Sequence, residues 1–463
     1  MAQRISIPFE GSDSGVEELT WAQRNHWRNV ELSGITESAG GMVKLADGMK
    51  VDDIAKLLAF LMSRHGALRT RITPDAEGKP RQEVLRSGVI DLEVVDADDA
   101  ADPAVIAEAL RVVYESAKWD FAGEWPVRWA VVRQNGMATH LVAMYNNLCV
   151  DGYGIDAIRA DLPNMDNATG AALAPVPGLS PLEIARNQQG PSGQRQSRAS
   201  LRYVERILRA IPPKRFGESP DKREPRYWEC SLRSTAMNMA LHVLSERTNV
   251  HSGAIMLAAY AVALGKISGD REVMVRTLVS NRFRPGLRDS VSNLAQGGLC
   301  LIDVADCTFD EAIARAFKSQ LAAGLNSYYD PRDAWALIDQ IGAEKGDEID
   351  LLVLYNDRRR GLAAATPEGP LPTREQVDAA MADSVFQWTR SWDAFDTTFY
   401  LTLNNVPGTL ECIMHADTHA VSPEQLEEAC RGLERLVIAA AFDPATLTGV
   451  NGVARVMEPA RSV

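Results

Sequence analysis

The segment AIMLAAYAVALGKIS, Ala254 to Ser268, is apolar on nearly every side. A helix without a polar stripe has to be enclosed, so this one is expected in a core. The longest apolar runs, such as the one around Ile255 to Leu264, fall short of the ~20 residues that a membrane-spanning helix needs. The chain has 463 residues, too many for one compact core, so two domains or large lobes are expected.

Periodicity supports mixed α and β structure in both halves. Val51 to His65 carries Val51, Ile54, Leu57, Leu58 and Leu61 at helical spacing, and Asp52 or Asp53 could cap its start. ALRTRITP reads as a short strand. Val127 to Arg133 and Thr139 to Tyr145 read as two strands joined through Gln134, Asn135 and Gly136, a hairpin signal. A short helix, GIDAIRADL, follows. Residues 166–200 are rich in Gly, Pro, Ala, Gln and Ser, with one helix at PLEIARNQ, and are expected to link the lobes. Beyond them RASLRYVERILRAI, FDEAIARAFKSQLAAGL and EQLEEACRGLERLVIAAA read as helices. MVRTLVSN, IDLLVLYND, FYLTLNNV and LECIMHA read as strands. The fold class is therefore α/β (α+β), with lobes over residues 1–165 and 201–463.

The formal net charge is −13, which argues against general nucleic-acid binding. An acidic protein partner would be repelled by the whole chain and would need a local basic patch. The six cysteines are scattered without C-x-x-C spacing and read as small core residues. The N-terminus MAQRISIPFEGSDSG has no apolar signal region, so a cytoplasmic location, with no membrane partner, is expected.

Six segments, in order, carry a resemblance to a known family. They are LTWAQRNHW (Leu19 to Trp27), RHGALRTRI (Arg64 to Ile72), YNNLCVDGYG (Tyr145 to Gly154), RYWECSL (Arg226 to Leu232), LVSNRFRPG (Leu278 to Gly286) and LYNDRRR (Leu354 to Arg360). Together they resemble the condensation domains of nonribosomal peptide synthetases, whose third signature is H-H-x-x-x-D-G. The resemblance implies two chloramphenicol-acetyltransferase-like lobes arranged as a V-shaped pseudo-dimer, with the active site in a tunnel at their junction. It implies carrier proteins that deliver a phosphopantetheine-linked acyl donor and an amine acceptor, and no tightly bound cofactor. With no adenylation signature and no carrier serine motif read in the sequence, the carriers are expected on other chains.

In that family the second histidine of the third signature is the catalytic one. Here the two histidine positions are Asn146 and Asn147. A carboxamide has no basic nitrogen near neutral pH, so it cannot serve as a general base. A general base contributes about 10²- to 10⁴-fold, roughly 3 to 5 kcal/mol. Positioning two reactants can contribute more. An amine that arrives neutral is already a nucleophile, so Asn147 could orient it while water takes the proton. Ester formation would depend far more on a base.

Three functions stay open. One is an atypical amide-forming acyltransferase of peptide natural-product biosynthesis. Another is a non-catalytic module that binds carriers or recruits a tailoring enzyme. A third is a coenzyme-A-dependent acyltransferase.

The resemblance also gives Asp151 either a catalytic role or a structural ion pair with Arg282. Gly152 would permit close backbone approach. Gly154, at a helix start, could offer an N–H to a thioester oxyanion. Tyr145, Arg358 and Arg359 are candidates for substrate or carrier contacts. The basic runs Lys214 to Arg226 and Asp357 to Arg360 could give local positive surface, or solvated loops and ion pairs. His65 reads as a packing or hydrogen-bonding residue rather than a base. His140 is ~20 Å along its strand from Asn146, too far to replace a base. His415 and His419 could suggest a metal, but on a strand and loop they do not share a face, so no metal is expected. Cys149, between Leu148 and Val150, reads as a buried thiol.

Overall fold

The computed structural model describes residues 3–359 and 369–451. The chain forms two compact units. The first comprises Met1–Ser197, Ser280–Gln296 and Tyr328–Pro331, and the second Arg198–Val279, Gly297–Ser327 and Arg332–Val463.

The first unit opens with β1 (Gln3–Glu10), β2 (Gly15–Glu18), α1 (Trp21–Ser33), β3 (Ser38–Lys44) and α2 (Val51–Arg64). It continues through β4 (Thr70–Pro74), β5 (Pro80–Val84), β6 (Ser87–Asp96) and α3 (Pro103–Ser116). Next come β7 (Val127–Gln134), β8 (Met137–Asn146), α4 (Gly152–Asp161) and α5 (Pro181–Gln189). A five-stranded sheet runs β1-β6-β7-β8-β3, and β2, β5 and β4 form a small second sheet.

The period-2 alternation of β8 decides which side chains face which layer. Leu141 and Tyr145 join a core with Ile54, Leu58 and Leu61 of α2. Val142 and Met144 join Ala107 of α3 on the other face. The β7–β8 hairpin turns at Asn135 (φ 52°) and Gly136 (φ 78°), both positive as a two-residue hairpin turn requires.

β3 (SAGGMVK) lacks alternation and is mostly exposed, so no strand is legible there in sequence. Its pairing is tight nonetheless. A Cβ on Gly40 would fall onto the Ala143 carbonyl oxygen, so only glycine lets the two strands approach. The antiparallel register sets Ser38 opposite Asn146.

The second unit takes most of α6 (Pro191–Ala210), then β9 (Tyr227–Ser234), α7 (Thr235–Thr248), α8 (Ser252–Ser268), β10 (Glu272–Val279) and β11 (Gln296–Asp303). It continues with α9 (Phe309–Leu325), α10 (Pro331–Lys345), β12 (Val353–Asp357), α11 (Arg374–Ala380) and β13 (Val385–Trp392). It ends with β14 (Phe399–Val406), β15 (Thr409–Asp417) and α12 (Pro423–Phe442). Its seven strands are ordered β11-β10-β12-β14-β15-β9-β13. The all-apolar helix is α8, buried continuously from Gly253 to Gly265. Its one phenol, Tyr260, donates to the Phe399 carbonyl at 3.0 Å, which satisfies the polar end of a buried ring. No single helix among the described residues is long and apolar enough to cross a membrane.

The stretch expected as a linker, 166–200, is counted with the first unit as far as Ser197. Ile184 of α5 is buried with Leu287 and Leu294, so apolar packing, not composition, decides where this segment belongs.

Candidate active site

The third signature begins at the end of β8 and turns sharply. Asn146 is buried. Its Oδ1 accepts from the Leu148 N–H at 2.9 Å, and its carbonyl accepts from both Cys149 and Val150 at 3.0 Å. Asparagine side chains commonly close such turns. Asn146 therefore shapes the loop.

Asp151 ends the turn and caps α4. Its Oδ1 accepts from the Gly154 N–H at 2.7 Å, and its Oδ2 from the Leu294 N–H at 2.9 Å and Arg282 Nη1 at 3.1 Å. Arg282 Nη2 lies 3.0 Å from Oδ1 and also donates to the carbonyls of Ser290 and Ser292 at 3.1 and 3.0 Å. Both side chains are buried. This carboxylate is fully engaged, which gives it the geometry of a structural pair and leaves no lone pair aimed at a substrate.

The same contacts correct the expectation for Gly154. Its N–H is taken by Asp151, so it is not an oxyanion donor. Glycine is needed there for space, since a Cβ would lie 2.9 Å from the Ser292 carbonyl oxygen and 3.0 Å from Val150 Cγ1. Gly152 opens α4, directly after the capping aspartate.

Asn147 is the partly exposed member of the turn. Its Nδ2 donates to Glu37 Oε2 at 3.0 Å, and its backbone N–H donates to the Glu37 carbonyl at 3.0 Å. Asn293 Nδ2 donates to the Asn147 carbonyl at 2.6 Å. A carboxylate only accepts, so the amide must turn its nitrogen toward Glu37 and its oxygen away. His26 Nδ1 of α1 lies 3.9 Å from the same Glu37 oxygen. Burial pushes the His26 imidazole below its ordinary value, against the upward pull of Glu37.

Glu37 is the residue that sequence reasoning missed. The only signal that could have found it is the β3–β8 register. Continued by one residue, that register sets Glu37 against Asn147.

The other candidates are placed as follows. Tyr145 faces the core and is buried, and burial raises its phenol well above the ordinary range. It is not a surface for substrate, because strand alternation turns it inward. Arg359 is also buried, with Nε and Nη2 on Asp357 at 2.8 and 2.7 Å, so its charge is spent internally. Arg358 is exposed, and Arg360 lies outside the described residues. In the run from Lys214 to Arg226 every cation has an acidic neighbour: Asp347, Asp350, Glu218, Asp221 and Asp417 in chain order. Among the described residues the first run is thus charge-compensated, while the second presents one exposed cation, Arg358.

His65 Nε2 lies 3.1 Å from Asp161. His140 is buried on β8. His415 Nε2 lies 2.9 Å from Glu229, while His419 Nε2 faces the Arg223 carbonyl at 3.4 Å, so the two imidazoles serve different partners. No group of three or more His, Cys, Asp or Glu among the described residues could hold a metal ion. Cys149 is buried, and its thiol is pushed up to about 12.

The family model described as Condensation domain matches residues 16–332. Phosphinothricin tripeptide synthetase PhsC of Streptomyces viridochromogenes is 26% identical over 305 residues, which is 63% of this chain and 28% of that protein. This chain thus spans about a quarter of that relative, and 22% of AMB antimetabolite synthetase AmbB of Pseudomonas aeruginosa. The first condensation domain of the calcium-dependent antibiotic synthetase superposes with a TM-score of 0.68 at 15% identity, covering 94% of this chain and 98% of that one. The X-domain from teicoplanin biosynthesis does so with a TM-score of 0.66 at 18% identity, covering 96% and 99%. These likenesses assign the chloramphenicol-acetyltransferase-like fold.

Proposed function

The chain belongs to the condensation-domain family, and from that premise we propose that it is an atypical acyltransferase of peptide natural-product assembly. It joins an amine acceptor to an acyl thioester held on the phosphopantetheine arm of a carrier protein. The observation that carries this reading is the fixed amide of Asn147. Its nitrogen is committed to Glu37, and no hydrogen bond among the described residues reaches its Oδ1. That oxygen can accept an N–H of the incoming amine and aim the nitrogen lone pair at the thioester carbonyl. Correct placement alone is a large share of the rate for an activated acyl donor.

Asp151 and Arg282 support the site from behind by holding the turn. The experiment is incubation with acyl-loaded and amine-loaded carrier proteins, followed by mass spectrometry of what leaves them. A new amide supports the reading. Carriers that keep their loads across a broad panel argue against it.

A second reading has its own support. Both histidine positions of the signature hold amides, Asn146 and Asn147, as a module kept only for binding would tolerate. Such a module would retain a carrier or a tailoring enzyme without turnover. In the same assay it forms a stable complex and no product. A coenzyme-A thioester offered in place of the loaded carrier tests the third possibility, a soluble acyl donor.

A further inference from the structure

Amide formation leaves a proton that needs a destination, and the amide of Asn147 cannot hold it. We propose that Glu37 is the proton acceptor of this site, a catalytic carboxylate supplied by the strand that neighbours the signature. This inference rests on the acyltransferase reading above.

Three observations support it. The first is placement: Glu37 Oε2 is 3.0 Å from Asn147 Nδ2, beside the group proposed to orient the amine. The second is fixation. Thr36 Oγ1 accepts from the Trp119 backbone N–H at 3.2 Å, and Ser38 Oγ accepts from Trp119 Nε1 at 3.0 Å. Trp119 therefore grips the residues on both sides of Glu37, and the Arg128 guanidinium lies 3.7 Å over its ring. The Asn147 N–H holds the Glu37 carbonyl as well. A surface glutamate with no task does not require this many restraints.

The third observation is access. The Glu37 side chain is 61% exposed, so an amine can reach it, in contrast to the saturated and buried Asp151. His26 stands 3.9 Å behind the same oxygen. Its imidazole is held below the ordinary value by burial.

The step balances without any redox partner. The amine nitrogen attacks the thioester carbonyl carbon, forming the C–N bond and a tetrahedral intermediate. The nitrogen's surplus proton passes to Glu37. The C–S bond then breaks, the sulfur leaves with the electron pair, and it takes the proton from Glu37 as a thiol. The carboxylate is regenerated.

The test uses the intact chain with the acyl-loaded and amine-loaded carriers of the assay above. Glu37→Gln keeps an oxygen for the Asn147 amide but cannot take a proton, so turnover is expected to fall about 10²- to 10⁴-fold. Glu37→Ala is expected to fall similarly and to regain part of its rate when formate is added, whereas the unmodified protein gains nothing from formate. A merely structural glutamate would not be rescued in this way. Circular dichroism and melting curves establish that both variants fold.

If the unmodified protein forms amide and Glu37→Gln matches it within about twofold, the inference is overturned and the acyltransferase reading stands. Failure of formate to restore any activity to Glu37→Ala overturns it too. If the unmodified protein forms no amide at all, the acyltransferase reading fails and takes this one with it.

Discussion

Arg282 donates to Asp151 from 131 residues away in sequence, at 3.1 Å, and both residues belong to the same compact unit. The pair is buried; Asp151 also takes the Gly154 N–H, and the other hydrogen bonds of the pair go to backbone groups of the 290–294 segment. Removing one partner of a buried ion pair leaves an uncompensated charge and typically costs about 3–5 kcal/mol. Asp151→Ala and Arg282→Met should each lower the urea midpoint, and the double variant should lose less than the sum. Two singles that unfold with the parent protein would exclude the pair as a support of the turn.

Asn147 is partly exposed, and among the described residues its side chain makes one hydrogen bond, to Glu37. Asn147→Ala should leave the melting temperature nearly unchanged and reduce amide formation by at least about tenfold, since orientation is lost. Unchanged turnover with loaded carriers would remove the role proposed for it. Asn147→His removes the orienting amide and puts an imidazole where the family resemblance places its catalytic histidine. With Glu37 as proton acceptor no gain in rate is expected, and a clear rise would mean that the unmodified site lacks a base.

A Cβ added to Gly154 would press on the Ser292 carbonyl oxygen and Val150. Neither the backbone oxygen nor the buried valine can move aside cheaply. Gly154→Ala should therefore destabilise by about 1–3 kcal/mol, in the range found for overpacking. Denaturant titration measures this, and a stabilising alanine would contradict the packing described.

Asp161 gives a pH dependence whose sign is fixed. Burial disfavours its charged form, but hydrogen bonds from His65, Arg64 and Asn164 outweigh burial and hold the carboxyl well below the usual range. A carboxyl depressed in the folded state stabilises fully above its unfolded value, about 3.9. That stability is lost as pH falls through the folded value. Asp161→Asn should therefore lose stability relative to the parent near pH 7, and the gap should narrow as pH drops below about 4. A gap that widens in acid would reverse the assignment.

The six cysteines are free and buried. Burial raises the Cys149 thiol to about 12, and desolvation does the same for Cys300. Thiolates are the reactive form, so a thiol reagent at pH 8 should label the native protein slowly and all six positions once it is unfolded. Rapid native labelling of Cys149 would reopen it as a nucleophile.

What the sequence made legible was local. The hairpin at Asn135–Gly136, the helices with clear apolar stripes and the wholly apolar α8 are all carried by short-range pattern. Strand β3 was not, because its side chains are mostly exposed and carry no alternation to read; β13 was not read either, although Phe386, Trp388 and Trp392 alternate along it, and its side chains are mostly exposed. The site divides in the same way. Asn146, Asn147 and Asp151 stand in one motif and could be read together. Glu37 reaches Asn147 through a strand register, and Asn293 reaches it through a long-range turn, and neither relation leaves a trace in local composition. Tyr145 and Arg359 misled because residue type suggests contact with a ligand, while burial and pairing are properties of the fold.

The first unit is assembled from three separate stretches of chain, and this sets a timetable for synthesis. When Asp151 leaves the ribosome, the guanidinium it needs has not been translated. At about 5–20 residues per second, the wait for Arg282 is roughly 7 to 26 s. During that interval the signature loop is a nascent segment with an unmatched carboxylate. A recombination breakpoint placed between residues 200 and 280 would join the N-terminal part to another chain's 280–296 segment, so the first unit would be built from two parents.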